Sequence, residues 1–345
     1  MNTQMIAAVL YGKENLRVEP VAVPEIGKGD ILVRVRAALT CGTDVKVFRR
    51  GYHARMIVPP ALFGHELAGD IVQVGESVRK FRVGQRVVAA NSAPCGECFF
   101  CRKDLANLCE DLLFNNGAYA EYIRVPARIV EKNTYEIPPH IDYKEAALIE
   151  PLACVLRGIE ETGVRPGDTV AVIGLGPIGV MFVRLAKVYG ARVIAFGRRQ
   201  GQLDRAAAMG ADEVLSTAEV DAIRAARDWT GGRGVDVAIE AVGQPDTWEE
   251  AARMVRKGGT VNFFGGCPAD TRVQLDTSLL HYSEITCKAS FHHTPYHIRK
   301  ALELVSRGDV DARHFINREE PLTNLLEVMR HLMSHNGHMK TAILP

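Results

Sequence analysis

Four cysteines fall within fifteen residues in "CGECFFCRKDLANLC": Cys95, Cys98, Cys101 and Cys109. Four thiolates from one loop can close a tetrahedral zinc shell, and a shell with four protein ligands has no open position, so such a site is structural. Two disulfides, four free thiols or an iron–sulfur cluster are the other readings of the same residues. A second set is scattered. Cys41 stands in "TCGTDVKVF", His65 in "FGHELAGDI", and "IEPLAC" carries Glu150 and Cys154 four residues apart. Cys41, His65 and a carboxylate or thiol from the third segment make a mixed N/O/S shell with room for a water or substrate oxygen, the mark of a catalytic zinc. Pro151 suits the first residue of a helix, which would bring Glu150 and Cys154 onto one face.

A third constellation is "IGLGPIG", with Gly174, Gly176 and Gly179 in a G-x-G-x-x-G pattern that leaves the strand-like "TVAVI" and opens a helix. Gly174 is expected to make the tight turn, Gly176 to let the backbone approach a pyrophosphate, and Gly179 to let helix pack on strand. Pro177 and Ile178 complete the turn, and the helix N-terminus favours phosphate charge. Dinucleotide-binding folds place an acidic residue for the ribose 2′-hydroxyl at the end of the next strand. Here that strand reads "RVIAFGRRQ", so Gly197 takes the position and Arg198 and Arg199 follow. Guanidinium forks suit a 2′-phosphate, which favours NADP(H) over NAD(H).

These residues need elements to place them. Up to about residue 150 the chain is short apolar runs broken by Gly and Pro, such as "ILVRVRAALT" and "LAGDIVQVGESV", and reads as mainly β. From about 165 apolar strands alternate with helix-length amphipathic segments, the pattern of a parallel doubly wound sheet. A further helix, "PYHIRKALELVSRG", and a final strand, "MKTAILP", follow. The expected domains are 1–150 with 290–345 returning to it, and 151–289.

The chain has 345 residues, 42 Lys and Arg against 41 Asp and Glu, and a formal charge of +1. No block of one sign points to nucleic acid or an anionic membrane surface. No apolar run approaches the roughly 20 residues of a membrane span, and the opening "MNTQMIAAVLYGKENL" lacks the features of a signal peptide. A cytoplasmic protein is expected, and crowded cysteines in a reducing compartment read as metal ligands.

With these motifs in hand the chain resembles the zinc-dependent medium-chain dehydrogenases, the alcohol, sorbitol and threonine dehydrogenase superfamily. "CGTD", "GHE", the four-cysteine lobe, "GAYAEY", "IEPL" and "GLGPIG" occur in that family's order along nearly the whole length. The resemblance implies an α/β protein, a GroES-like mainly-β catalytic domain joined to a Rossmann doubly wound parallel sheet. It implies that Cys41 and His65 ligate a catalytic zinc, with Glu66 as a direct or exchanging ligand, and that the four-cysteine loop holds a structural zinc. Glu150 is favoured over Cys154 for the third side of the catalytic site. Thr43 matches the hydroxyl that passes the substrate proton outward. The cofactor-binding set is Gly174, Gly176, Pro177, Ile178, Gly179, Arg198, Arg199 and Val242.

The implied reaction is hydride transfer between nicotinamide and a secondary alcohol or ketone, a small-molecule polyol or cyclitol. Threonine and simple secondary alcohols are the alternatives, and a non-enzymatic dinucleotide-binding protein is a remote one. Three departures bear on the substrate. Lys46 stands where many relatives end the proton relay with histidine; "FHH" at 291–293 replaces the sorbitol branch's Phe-Arg-Tyr; and the threonine branch shows an aspartate at the Glu150 position. His292 and His293 could contact a vicinal hydroxyl or serve as core histidines. Relatives of this kind are commonly tetramers or dimers, so a homo-oligomer is expected.

Overall fold

The computed structural model describes residues 3–53, 55–334 and 339–345. They form two compact units, one of Met1–Ala153 with His293–Pro345 and the other of Cys154–His292.

The first unit is mainly β. Its largest sheet runs Thr134–Glu136, Arg86–Ala89, Glu66–Val74, Ile31–Leu39, Lys340–Leu344 and Ile316–Pro321, and Tyr122–Val125 also pairs with Ile31–Leu39. Smaller two- and three-stranded sheets complete it. The Ile31–Leu39 strand is the organising element. Val33, Val35 and Leu39 are buried while Arg34 and Arg36 face solvent, the alternation of a strand with one face on the core. Its partners set the site: Leu39 pairs with Glu66 on one side and with Ala342 on the other. Residues that are hundreds of positions apart in sequence thereby converge on the strand's C-terminal end. Phe48, Phe63, Ile71, Tyr119, Ile129 and Met329 belong to the core beneath it, each large side chain contributing about 1.5–3 kcal/mol by leaving water.

The second unit is a parallel six-stranded sheet in the order Glu213–Ser216, Arg192–Gly197, Thr169–Ile173, Val235–Glu240, Val255–Phe263 and Thr286–Lys288. Chain order reverses direction between Thr169–Ile173 and Val235–Glu240, the switch point at whose C-terminal edge doubly wound sheets bind ligands. The strands are near-continuous apolar runs with helices between them, as burial on both faces requires.

The helix carrying "IEPLAC" spans Ile149–Thr162. Pro151 is therefore its third residue rather than its first. The position is tolerated because the first-turn N–H groups have no intrahelical acceptor, so the missing donor breaks nothing. Among the described residues no helix is long and apolar enough to cross a membrane.

Candidate active site

Cys41 lies two residues past the Ile31–Leu39 strand and caps the helix Gly42–Arg50. The cap fixes its direction: the Thr43 N–H donates to Cys41 Sγ at 3.4 Å, and the Cys41 N–H donates to Asp44 Oδ2 at 3.2 Å. Asp44 is buried and does more than close this box. His65 Nδ1 lies 2.9 Å from Asp44 Oδ1, and the Tyr119 hydroxyl donates to Asp44 Oδ2 at 2.6 Å. With Nδ1–H spent on the carboxylate, Nε2 of His65 is the nitrogen left for a ligand, the arrangement by which carboxylates orient metal-binding histidines. Burial opposes a charge on His65, yet Asp44 and Cys41 push its pKa well above the usual range. Burial works to raise the Cys41 thiol, but His65 and Lys340 bring it down to about 7.

Ligand atoms of Cys41, His65 and Glu66 all lie within 4.8 Å of one another. A soft sulfur, an imidazole nitrogen and a carboxylate are a donor set that zinc accepts. Glu66 is fully buried and has a second claim on it: Lys340 Nζ stands 2.7 Å from each of its carboxylate oxygens and also donates to the Thr40 carbonyl at 3.0 Å.

Glu150 is buried in the same unit, outside that triad but within electrostatic reach of His65, Glu66 and Lys340. Burial raises its carboxyl to about 7. Its neighbour is His293, whose Nε2 is 3.6 Å from Glu150 Oε1 and 2.9 Å from Asn91 Oδ1. Cys154 opens the second unit and belongs to no group of potential metal ligands among the described residues. Thr43 is half-buried and Lys46 exposed. His292 lies in the second unit at φ +68°, its carbonyl accepting from Arg157 at 3.2 Å.

The four-cysteine loop gathers its sulfurs tightly. Cys95 to Cys101 is 3.9 Å, Cys98 to Cys109 3.8 Å and Cys95 to Cys109 3.5 Å, with all four within 4.8 Å of one another and none in a disulfide. Four sulfurs at ~2.3 Å from one zinc stand about 3.8 Å apart, so the cage fits that ion. Backbone N–H groups of Cys95, Glu97 and Cys98 point at the sulfurs, as they do where thiolate charge has to be shared.

In the second unit the glycine turn follows Thr169–Ile173 and opens the helix Pro177–Val188, which Gly176 caps and Pro177 begins. Gly174 has φ +92°, a conformation that favours glycine. A Cβ at Gly179 would overlap the Gly174 carbonyl oxygen, whereas one at Gly176 would meet no atom within 4 Å. Gly174 and Gly179 are needed by the turn itself, whereas Gly176 leaves open space over a helix N-terminus, which fits a pyrophosphate. Ile178 lies in the first turn of that helix. Arg198 and Arg199 follow the Arg192–Gly197 strand, both exposed and without hydrogen-bonded or ion-paired side-chain partners among the described residues. Val242 is 44% exposed beside Gly174.

Asp44, Tyr119, Lys340 and Asn91 are site residues that the sequence reading passed over. Asp44 lies inside "TCGTDVKVF" and Tyr119 inside "GAYAEY", and a lysine in the mainly apolar final strand is the signal for Lys340.

Comparison with known proteins gives the family. Residues 27–138 match the alcohol dehydrogenase GroES-like domain and residues 177–307 the zinc-binding dehydrogenase family. A sorbitol dehydrogenase of Bacillus subtilis is 33% identical over 99% of this chain and 97% of its own. An L-threonine 3-dehydrogenase of Bacillus licheniformis is 35% identical over 73% of each chain. A protein of Sinorhizobium meliloti, assigned as a zinc-binding dehydrogenase and solved bound to NADP, superposes with a TM-score of 0.93 at 32% identity, covering both chains completely.

Proposed function

The chain belongs to the zinc-dependent medium-chain dehydrogenases, and on that premise we propose that it oxidises a secondary alcohol of a polyol or cyclitol, or reduces the matching ketone, with NADP(H) preferred over NAD(H). The observation that carries the reading is the buried Cys41–His65–Glu66 triad with Glu150 beside it. Full-length likeness to a sorbitol dehydrogenase supports the polyol class, where the likeness to a threonine dehydrogenase spans less of the chain.

Cys41, His65 and Glu150 would hold the catalytic ion, and Cys95, Cys98, Cys101 and Cys109 the structural one. When bound, zinc supplies a Lewis acid that makes a hydroxyl easier to deprotonate, and the dinucleotide supplies a hydride acceptor. The protein's residues do the rest. Asp44, fixed by Tyr119 and the Cys41 N–H, aims the His65 ring. Lys340 engages both Glu66 oxygens, which would leave Glu66 as an exchanging ligand and Glu150 as the resident one. Thr43 takes the substrate proton toward solvent. Exposed Arg198 and Arg199 offer guanidinium groups to a 2′-phosphate, and the likeness to an NADP-bound structure supports that preference. A homo-oligomer in the cytoplasm is the accompanying expectation from sequence.

The test is a panel followed by absorbance at 340 nm with NADP⁺ and NAD⁺. Polyols and cyclitols should outpace L-threonine and simple secondary alcohols; faster turnover of threonine would move the chain to that branch.

A further inference from the structure

The strand Val235–Glu240 ends in a carboxylate that none of the roles above uses. Glu240 is fully buried, and its side chain turns back onto its own loop. Oε1 accepts from the Val242 N–H at 2.8 Å, the Gly243 N–H at 2.9 Å and the Thr247 hydroxyl at 2.7 Å. Oε2 is buried with no hydrogen-bond partner among the described residues. Burying a carboxylate is costly unless it is well bonded. One that satisfies a single oxygen with three donors from one six-residue stretch is holding that stretch in shape.

What it holds is pressed against two neighbouring loops. A Cβ at Gly243 would lie 2.6 Å from the Gly266 carbonyl oxygen, and one at Gly265 would lie 2.7 Å from Glu240 Oε2. The Phe264 and Gly265 N–H groups donate to the Glu240 carbonyl at 3.0 and 2.8 Å. The Gly265 carbonyl is in turn fixed by the Trp248 indole N–H at 2.9 Å. On the other side Val242 packs on the glycine turn, where a Cβ at Gly174 would meet Val242 Cγ2 at 2.5 Å. Loops after three adjacent strands, Thr169–Ile173, Val235–Glu240 and Val255–Phe263, are thus locked together at the switch point of the sheet.

We propose that Glu240 is a positioning residue for the dinucleotide: it braces Val242 against Gly174 and Gly243 against Gly266, so that the glycine turn and the exposed face of Val242 present one preformed surface. This rests on the dinucleotide reading of the glycine turn. Because the brace touches neither the 2′-phosphate arginines nor the proposed metal ligands, it should act on both cofactors alike and leave metal binding untouched.

The experiment is fluorescence titration of the zinc-loaded protein and of its Glu240→Ala and Thr247→Val variants with NADPH and NADH, with steady-state kinetics alongside. Glu240→Ala removes the acceptor of three donors, and Kd for both cofactors should rise about tenfold. Thr247→Val removes one donor, and the rise should be about threefold. In both, the KM for cofactor should follow Kd while kcat at saturation and zinc per chain stay within about twofold of the parent. A purely structural role would lower Tm and leave Kd unchanged, and that result overturns the proposal. Should Glu240→Ala not fold, Thr247→Val decides alone, and a parent-like Kd sinks it. A parent protein that binds neither cofactor would overturn the dinucleotide reading itself, an outcome distinct from variants that bind as well as the parent.

Discussion

Lys340 Nζ stands 2.7 Å from both carboxylate oxygens of Glu66, with the lysine side chain 4% and the glutamate 0% exposed. The two are 274 residues apart and meet because Ile31–Leu39 pairs with both of their strands. Burial alone would discharge the lysine, but Glu66 holds its pKa above the ordinary value. A buried pair of this kind is worth little against an apolar substitute and a great deal against the loss of one partner.

Lys340→Met should therefore destabilise the protein by about 3 kcal/mol or more, because Glu66 is left buried and uncompensated. Glu66→Gln combined with Lys340→Met should recover most of that loss. Urea unfolding in the presence of chelator measures it; additive single effects would show that the pair is not coupled.

Glu150 gives the metal-free protein a pH dependence of definite sign. Its carboxyl is raised to about 7 by burial, against about 4.3 in an unfolded chain. The folded state thus holds the proton longer. The group's contribution to stability is full below about pH 4.3 and is lost as pH rises through about 7. Glu150→Gln cannot lose it. With chelator present, the Tm of Glu150→Gln should gain on that of the parent between pH 5 and pH 8. Added zinc should shrink or reverse the gap, since an ion-bound carboxylate is stabilised ionised. A constant gap over that range, with and without zinc, would remove Glu150 from the metal site.

Arg198 and Arg199 make the cofactor preference testable. Arg198→Ala should raise the KM for NADP(H) by roughly 10- to 100-fold, the equivalent of one charge-assisted phosphate contact, and change that for NAD(H) far less. Equal effects would remove the argument from the missing acidic residue. Gly197→Asp alone should not restore NAD(H) preference cleanly, because a Cβ at that position would sit 2.9 Å from Leu175 Cδ1.

The reach of the sequence differed from one part of the molecule to the next. The glycine turn and the four-cysteine lobe were legible because each is local: Gly174 to Gly179 and Cys95 to Cys109 carry their geometry in their spacing. The parallel sheet was legible because its strands are buried on both faces and read as unbroken apolar runs. Pro151 is the third residue of its helix rather than the first, since the helix starts at Ile149. What stayed hidden was non-local. Nothing in "MKTAILP" says that its lysine will meet Glu66, because that contact depends on strand order. Asp44 could have been found, being the third residue after a cysteine that caps a helix. Glu240 gave no sign beyond ending an apolar strand, since two of the three donors to its carboxylate are backbone N–H groups.

The central claim is that a zinc held by Cys41, His65 and Glu150 is needed for alcohol–ketone interconversion, and removal of metal tests it most directly. Protein stripped by chelator should lose polyol-dependent formation of reduced nicotinamide at 340 nm while still binding cofactor, and one equivalent of zinc beyond that held by the four-cysteine loop should restore it. Full activity in metal-free protein would contradict the account.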